Sequence, residues 1–290
     1  MHPRVRPFHH PGSGTWSYVV DDGAHAAIID AVLDYDAARA NTATASAQVL
    51  LDAVQDDGLR LQWILETHAH ADHLSAGHWL KTQAPDATLA IGEGIRAVQS
   101  TFRDIYHLGD GFPSDGSQFD HLFADGEAFR IGELDARVIA TPGHTSDSCA
   151  YLVGDALFTG DSLFLPDSGT ARCDFPGGDA ATLYRSILRL FELPDDTRVF
   201  VCHDYGKQAG SGNGREPACE TTIGAQKAGN IHVRDGIDEA GYVAMRNARD
   251  ATLAMPALML PAVQVNIRGG ALPDPEDDGH RYLKLPVDRF

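Results

Sequence analysis

Basic residues are scarce in this 290-residue chain. Lysine and arginine number 23 against 41 aspartates and glutamates, a formal net charge of −18. That balance disfavours nucleic acid and anionic membrane surfaces as partners, because both are held by clustered positive charge. Cysteine is scarce as well. Cys149, Cys173, Cys202 and Cys219 form no CxxC pair, which excludes a zinc ribbon and a thioredoxin-type motif and leaves buried free thiols in a reducing compartment as the expectation. No run approaches the roughly 18 consecutive apolar residues of a membrane-spanning helix. Met1-His2-Pro3-Arg4-Val5 lacks the apolar stretch of a secretion signal, so a cytoplasmic enzyme is the simplest expectation.

Hydrophobic residues make up 43% of the chain, enough for a sizeable core. The expected organisation is one α/β catalytic domain over residues 1–250. A Pro-punctuated extension over 251–290, with Pro256, Pro261, Pro273 and Pro275, packs on the same domain. Oligomeric state is not readable, and a homo-oligomer stays open.

The densest chemistry lies in Thr67-His68-Ala69-His70-Ala71-Asp72-His73. Three imidazoles and a carboxylate in six positions suit metal binding, since imidazole is the commonest protein ligand for zinc, iron and copper and Asp adds a harder oxygen donor. An affinity tag would sit at a terminus, and a solvated His-rich loop would not follow a core strand such as Leu61-Gln62-Trp63-Ile64-Leu65. The cluster belongs on the loop at that strand's end, where a rigid scaffold presents catalytic groups.

Strands are expected at Trp16 to Val20 and Ala26 to Asp30 about a turn at Asp21 to Gly23, at Thr88 to Ile91, and between Glu127 and Thr141. Further strands are expected at Cys149 to Val153, Ala156 to Thr159 and Arg198 to Cys202. Helices are expected at Thr44 to Asp57, with Val49, Leu50, Ala53 and Val54 inward and Gly58 as the stop. Others run from an N-cap at Ser75 through Leu80, over Gly94 to His107, over Thr182 to Phe191, and over Glu216 to Ala228. After Asp250 the chain reads as extended. Three more ligand-type residues follow strands: His144 in Thr-Pro-Gly-His, Asp161 in Thr-Gly-Asp and His203 in Val-Cys-His. Glycines before His144 and Asp161 permit the sharp turns that aim both side chains into a shared cleft.

This pattern of HxHxDH, PGH, GD and a late His, spread over residues 68 to 203, resembles the metallo-β-lactamase superfamily. The resemblance implies an αββα sandwich. In its binuclear members His68, His70 and His144 would hold one metal, Asp72, His73 and His203 the other, with Asp161 between them. A two-zinc hydrolase, with a metal-bound hydroxide as nucleophile, is therefore open.

The loop Asp167-Ser168-Gly169-Thr170-Ala171-Arg172-Cys173-Asp174-Phe175-Pro176-Gly177-Gly178 is similar to the persulfide dioxygenase branch, bacterial type. His203-Asp204-Tyr205 and the tail Met255 to Pro261 with Asn266 are similar to it too. That branch implies one Fe(II) per chain on His68, His144 and Asp161, with His70, Asp72, His73 and His203 as supporting groups. It also implies glutathione persulfide, or a related small thiol persulfide, and O₂ as substrates. A two-His, one-carboxylate set leaves iron positions open. Glutathione carries carboxylates, so Arg172, Tyr205 and Arg215 are the candidate substrate-binding residues. Cys173 reads as a packed thiol, and His78, His107, His121 and His232 as ordinary packing or surface residues. The alternative is a binuclear Zn(II) hydrolase of glutathione thioesters, of the glyoxalase II type. A non-catalytic metal- or sulfide-responsive protein is the third reading.

Overall fold

The structure is a computed structural model, and it describes residues 2–206 and 214–289. The first half runs β1 (Arg4–His10), β2 (Thr15–Asp21), β3 (His25–Ile29), β4 (Val32–Asp36), β5 (Asn41–Ala43), α1 (Ala45–Asp56), β6 (Arg60–Leu65), β7 (Leu74–Ser75), α2 (Gly77–Gln83), β8 (Thr88–Gly92), α3 (Ile95–Ile105) and β9 (His121–Phe123). The second runs β10 (Ala128–Ile131), β11 (Leu134–Ala140), β12 (Cys149–Val153), β13 (Ala156–Phe158), α4 (Ala180–Leu190), β14 (Arg198–Phe200), β15 (Glu220–Thr222), α5 (Ile223–Gly229), α6 (Glu239–Asp250) and α7 (Met259–Asn266).

Two six-stranded sheets result, ordered β1-β2-β3-β6-β8-β9 and β10-β11-β12-β13-β14-β15. Strand periodicity sorts their side chains into layers. Along β2 and β3, Tyr18, Val20, Ala27 and Ile29 meet Tyr151, Val153 and Phe158 of the second sheet, while Val19, Ala26 and Ile28 face the helices of the first half. Val199 and Val201 turn outward to Leu183 and Ile187 of α4. Helices thus cover both outer faces, the expected αββα sandwich.

Four local expectations are corrected. On α1, Val49 is 52% exposed, and the buried face is Ala47, Leu50, Leu51 and Val54. That face has the i, i+3, i+4, i+7 spacing of a helix on a sheet. Ser75 ends the short strand β7, one residue before the helix's N-cap, although its Oγ still accepts from Gly77 N at 2.9 Å. Glu220–Thr222 pairs antiparallel with β14, and the helix begins only at Ile223, capped by Thr222 Oγ1, which accepts from Ala225 N. The tail is not simply extended. α7 is a buried helix whose Met259, Ala262, Val263 and Val265 join the first-sheet core. Pro261 sits in its first turn, where the missing N–H has no acceptor to lose.

Candidate metal centre

Topology gathers the ligand-type residues at one end of the sandwich. β6 runs parallel to β3 and β8, and the chain leaves it at Leu65 into the His loop. β13 runs parallel to β14 with Phe158 opposite Phe200, so Asp161 and His203, each three residues further on, emerge side by side. His144 lies in the connection from β11 to β12, closed by Ala140 opposite Cys149. Cys149 N donates to Thr67 O over 2.9 Å, and the Tyr151 hydroxyl donates to Glu66 O over 2.8 Å, so the His loop is tied to the second sheet.

Both expected turn glycines adopt positive φ. Gly143 has φ 136°, and a Cβ there would lie 2.3 Å from Leu183 N; Gly160 has φ 51°, and a Cβ would lie 2.7 Å from Thr67 Oγ1.

Two donor sets form. His68, His144 and Asp161 bring ligand atoms within 4.8 Å of one another, as do His70, Asp72, His73 and His203. Asp161 faces both. Its Oδ2 is 3.6 Å from His144 Nε2 and 3.9 Å from His68 Nε2, and its Oδ1 is 3.4 Å from His203 Nε2. Asp72 Oδ2 lies 3.3 Å from His203 Nε2 and 3.4 Å from His73 Nδ1.

Hydrogen bonds orient the histidines. Thr67 spends its one hydroxyl hydrogen on Asp30 Oδ2 at 2.9 Å, so His68 Nδ1, 3.0 Å away, donates to the Thr67 oxygen. His70 donates from Nε2 to Asp30 Oδ1 over 3.1 Å. His144 donates from Nδ1 to Arg172 O over 2.7 Å. The opposite ring nitrogens of all three are left with free lone pairs. Among the described residues His68 Nε2, His70 Nδ1, His73 Nε2, His203 Nε2 and Asp161 Oδ1 are buried without a hydrogen-bond partner. Five buried polar atoms without partners, gathered in the two adjoining donor sets, are costly unless a cation satisfies them. The donor set therefore fits a metal ion.

Burial pushes His68 and His70 well below the usual imidazole range, keeping them neutral as ligation requires. Burial raises the Asp72 carboxyl, but His203 and His73 outweigh it and hold it well below the usual range.

Several residues that hold this site carry no motif in the sequence. Asp30 sets two histidine orientations. Thr15 Oγ1 stands 3.3 Å from His73 Nδ1 and 3.5 Å from His203 Nδ1. Asp147 accepts from Ala69 N, and Asn266 donates to His70 O and His73 O. Only Asn266 had a signal, within the tail resemblance.

A cleft of about 540 Å³ opens over the centre, lined by Asp72, His144, Asp161, His203, Phe164 and Phe175. Arg172 and Tyr205 also line it. The Arg172 guanidinium is already bidentate to Asp174, with both contacts at 2.6 Å, and it also donates to Ala254 O. Tyr205 is 72% exposed, its ring stacked beside His203. Arg215 is not among the lining residues; it pairs with Asp167 and Asp204. The Gly-rich loop assigned to it, 210–214, lies outside the described residues except for Gly214. Cys173 is buried, its thiol pushed up to about 12 by burial first and Asp250 second, as expected of a packed thiol. His232 is buried too and accepts from Thr170 N. No helix among the described residues is long and apolar enough to cross a membrane.

The family described as "Metallo-beta-lactamase superfamily" matches residues 10–203. The chain is 49% identical to a beta-lactamase hydrolase-like protein of Xylella fastidiosa over 98% of its own length, but spans only 65% of that relative. It is 48% identical to a probable metallo-hydrolase of Burkholderia pseudomallei, covering 98% of this chain and 99% of that one. Glyoxylase B2 of Dictyostelium discoideum is 49% identical over 90% of this chain and 88% of its own. The human persulfide dioxygenase ETHE1 is 32% identical, over 69% of this chain and 68% of that one. Among solved structures, ETHE1 from Myxococcus xanthus is 31% identical with a TM-score of 0.72, covering 92% of this chain and 100% of that one.

Proposed function

The chain belongs to the metallo-β-lactamase superfamily, and from that premise we propose that it is a persulfide dioxygenase. In this reading glutathione persulfide, O₂ and water give sulfite and glutathione, both atoms of O₂ passing to the outer sulfur. The observation that carries it is the similarity to ETHE1 from Myxococcus xanthus along the whole of that chain, over 92% of this one. The loop around Arg172, Cys173, Asp174 and Phe175 adds support.

His68, His144 and Asp161 would hold one iron, and iron supplies the one-electron chemistry with O₂ that zinc lacks. The chain's own groups prepare the site. The Arg172 carbonyl orients His144 through Nδ1, and Asp30 orients His68 through Thr67. Phe164 and Phe175 give the cleft apolar walls that limit water around a bound sulfur anion. Asp72 and His203 form a carboxylate–imidazole pair at the cleft floor. The Tyr205 hydroxyl, at the cleft, is a donor for substrate.

A second reading has its own support. Both donor sets are complete, and Glyoxylase B2 is the nearer in sequence at 49% identity. Those two facts support a binuclear zinc hydrolase of glutathione thioesters as the alternative.

Metal analysis with oxygen uptake separates them. Protein purified anaerobically should carry about one iron per chain and consume O₂ with glutathione persulfide, releasing sulfite. His68→Ala and His144→Ala should lose the iron, and His73→Ala should keep it. Two zinc ions, no uptake, and cleavage of an acyl-glutathione would overturn the dioxygenase in favour of the hydrolase.

A further inference from the structure

A chain of polar side chains runs from the far end of β1 to the second donor set. His10 Nδ1 lies 2.7 Å from Ser13 Oγ, and Ser13 Oγ lies 2.6 Å from Thr15 Oγ1. Thr15 Oγ1 in turn stands 3.3 Å from His73 Nδ1 and 3.5 Å from His203 Nδ1. Backbone bonds hold the chain in register: Trp16 N donates to Cys202 O over 2.7 Å, and Asp204 N to Gly14 O over 3.0 Å. Thr15 is fully buried, whereas the His10 side chain is 23% exposed.

The direction of every hydrogen in this chain follows from one backbone group. Ser13 N donates to His10 Nδ1 over 3.1 Å, so that nitrogen is an acceptor and carries no proton. The other end of the ring agrees, since His10 Nε2 lies 3.4 Å from Asp34 Oδ1 and offers its N–H there. Asp34 is itself fixed by Ser46, which donates to it from N and Oγ at the start of α1. With Nδ1 an acceptor, the Ser13 hydroxyl must donate to it. A hydroxyl has one hydrogen, so Thr15 must donate to Ser13. Thr15 then has only lone pairs left for the two imidazoles, and both must donate from Nδ1.

We propose that His10 is a positioning residue for the second donor set: through Ser13 and Thr15 it fixes a proton at Nδ1 of His73 and His203, and so turns both Nε2 lone pairs toward the centre. His203 needs this most. Asp72 and Asp161 face its Nε2 at 3.3 and 3.4 Å and draw a proton to the wrong side of the ring, and Thr15 opposes them. For His73, Asp72 Oδ2 lies 3.4 Å from Nδ1 and works in the same direction as Thr15. The assignment goes beyond the choice between iron and zinc, because the second donor set needs the same lone pairs whether it supports a neighbouring ion or holds one.

Histidine side-chain nitrogen–proton NMR of the metal-free protein at neutral pH tests it without any turnover. The parent should show His10 protonated at Nε2 with Nδ1 bare, and His73 and His203 protonated at Nδ1. His10→Phe keeps a ring but removes the acceptor, so the Ser13 and Thr15 hydrogens are free to turn, and His73 and His203 should show mixed proton positions. His10→Asn places an amide oxygen where Nδ1 stood, can accept from Ser13 N as Asn side chains do in turns, and should restore the parent pattern. Zinc titration against a chromophoric chelator gives a second readout. His10→Phe should weaken the second equivalent by about 10- to 100-fold and leave the first, on His68, His144 and Asp161, unchanged; His10→Asn should bind both like the parent. A proton on His10 Nδ1 in the parent, or parent proton positions in a folded Phe variant, would overturn the proposal. Neither result depends on oxygen uptake, so the persulfide reading can fail while this assignment stands.

Discussion

Thr67 donates its hydroxyl hydrogen to Asp30 Oδ2 over 2.9 Å and thereby fixes which nitrogen of the neighbouring His68 carries a proton. The hydroxyl has one hydrogen and it is spent, so His68 must donate at Nδ1 and present Nε2 to the centre. Thr67→Val deletes that acceptor. It should weaken metal binding by about 10- to 100-fold, as second-layer partners of metal histidines do. Thr67→Ser keeps the hydroxyl and should restore it. Competition with a chromophoric chelator measures both. A Val variant that binds as tightly as the parent would break the link.

Asn266 joins the tail to the His loop across nearly 200 residues of sequence. It donates to His70 O and His73 O over 2.7 and 2.8 Å and accepts from Ser75 N over 2.7 Å, all buried. Asn266→Ala strands three backbone groups. A stability loss of about 2–4 kcal/mol in urea is expected, with a parallel fall in retained metal. Stability within error of the parent would show that the tail does not hold the loop.

Gly143 and Gly58 both have positive φ, but only one is crowded. A Cβ at Gly143 would sit 2.3 Å from the backbone nitrogen of Leu183, whereas nothing lies within 4 Å of one at Gly58. Gly58→Ala should cost only the left-handed backbone penalty, about 1–2 kcal/mol. Gly143→Ala must push α4 from the His144 turn, so it should lose both more stability and metal. Equal melting temperatures for the two variants would contradict this.

His232 makes stability depend on acid. Burial first, then Arg246 and Arg249, lower its pKa to about 4, and its Nδ1 accepts from Thr170 N. Unfolded, it titrates near 6.5, so the unfolded chain binds the proton more readily as pH falls. Its contribution is fully present above about pH 6.5 and is lost progressively toward pH 4, by about 3 kcal/mol in all. His232→Gln should flatten that part of the profile in urea melts at pH 7 and 5. Parallel parent and variant profiles would remove His232 as the cause.

The loops bearing His68 to His73, His144, Asp161 and His203 were legible because each follows a short apolar run. Gly143 and Gly160 were legible for the same local reason. The partners that orient those ligands were not. Asp30, Thr15 and Asn266 lie 37 to 196 residues from the groups they bind, and nothing near them in sequence marks the contact. α6 was missed although Asp238 caps it, and α7 was hidden by a proline harmless in a first turn. Arg172 was chosen by its loop motif and Arg215 by type, since sequence shows that a guanidinium exists but not that Asp174, Asp167 and Asp204 occupy it.

Sequence by itself determined the donor inventory and an α/β layering, because hydrophobic periodicity and ligand spacing are properties of neighbouring residues, and the sandwich and the family came through the resemblance that the ligand motifs carry. Tertiary structure alone decided which nitrogen His68, His70 and His144 offer, that Asp161 faces both donor sets, and that Asp174, Asp167 and Asp204 occupy the Arg172 and Arg215 guanidinium groups. Those are matters of orientation and pairing across distant segments, and they are set only when two sheets close against each other.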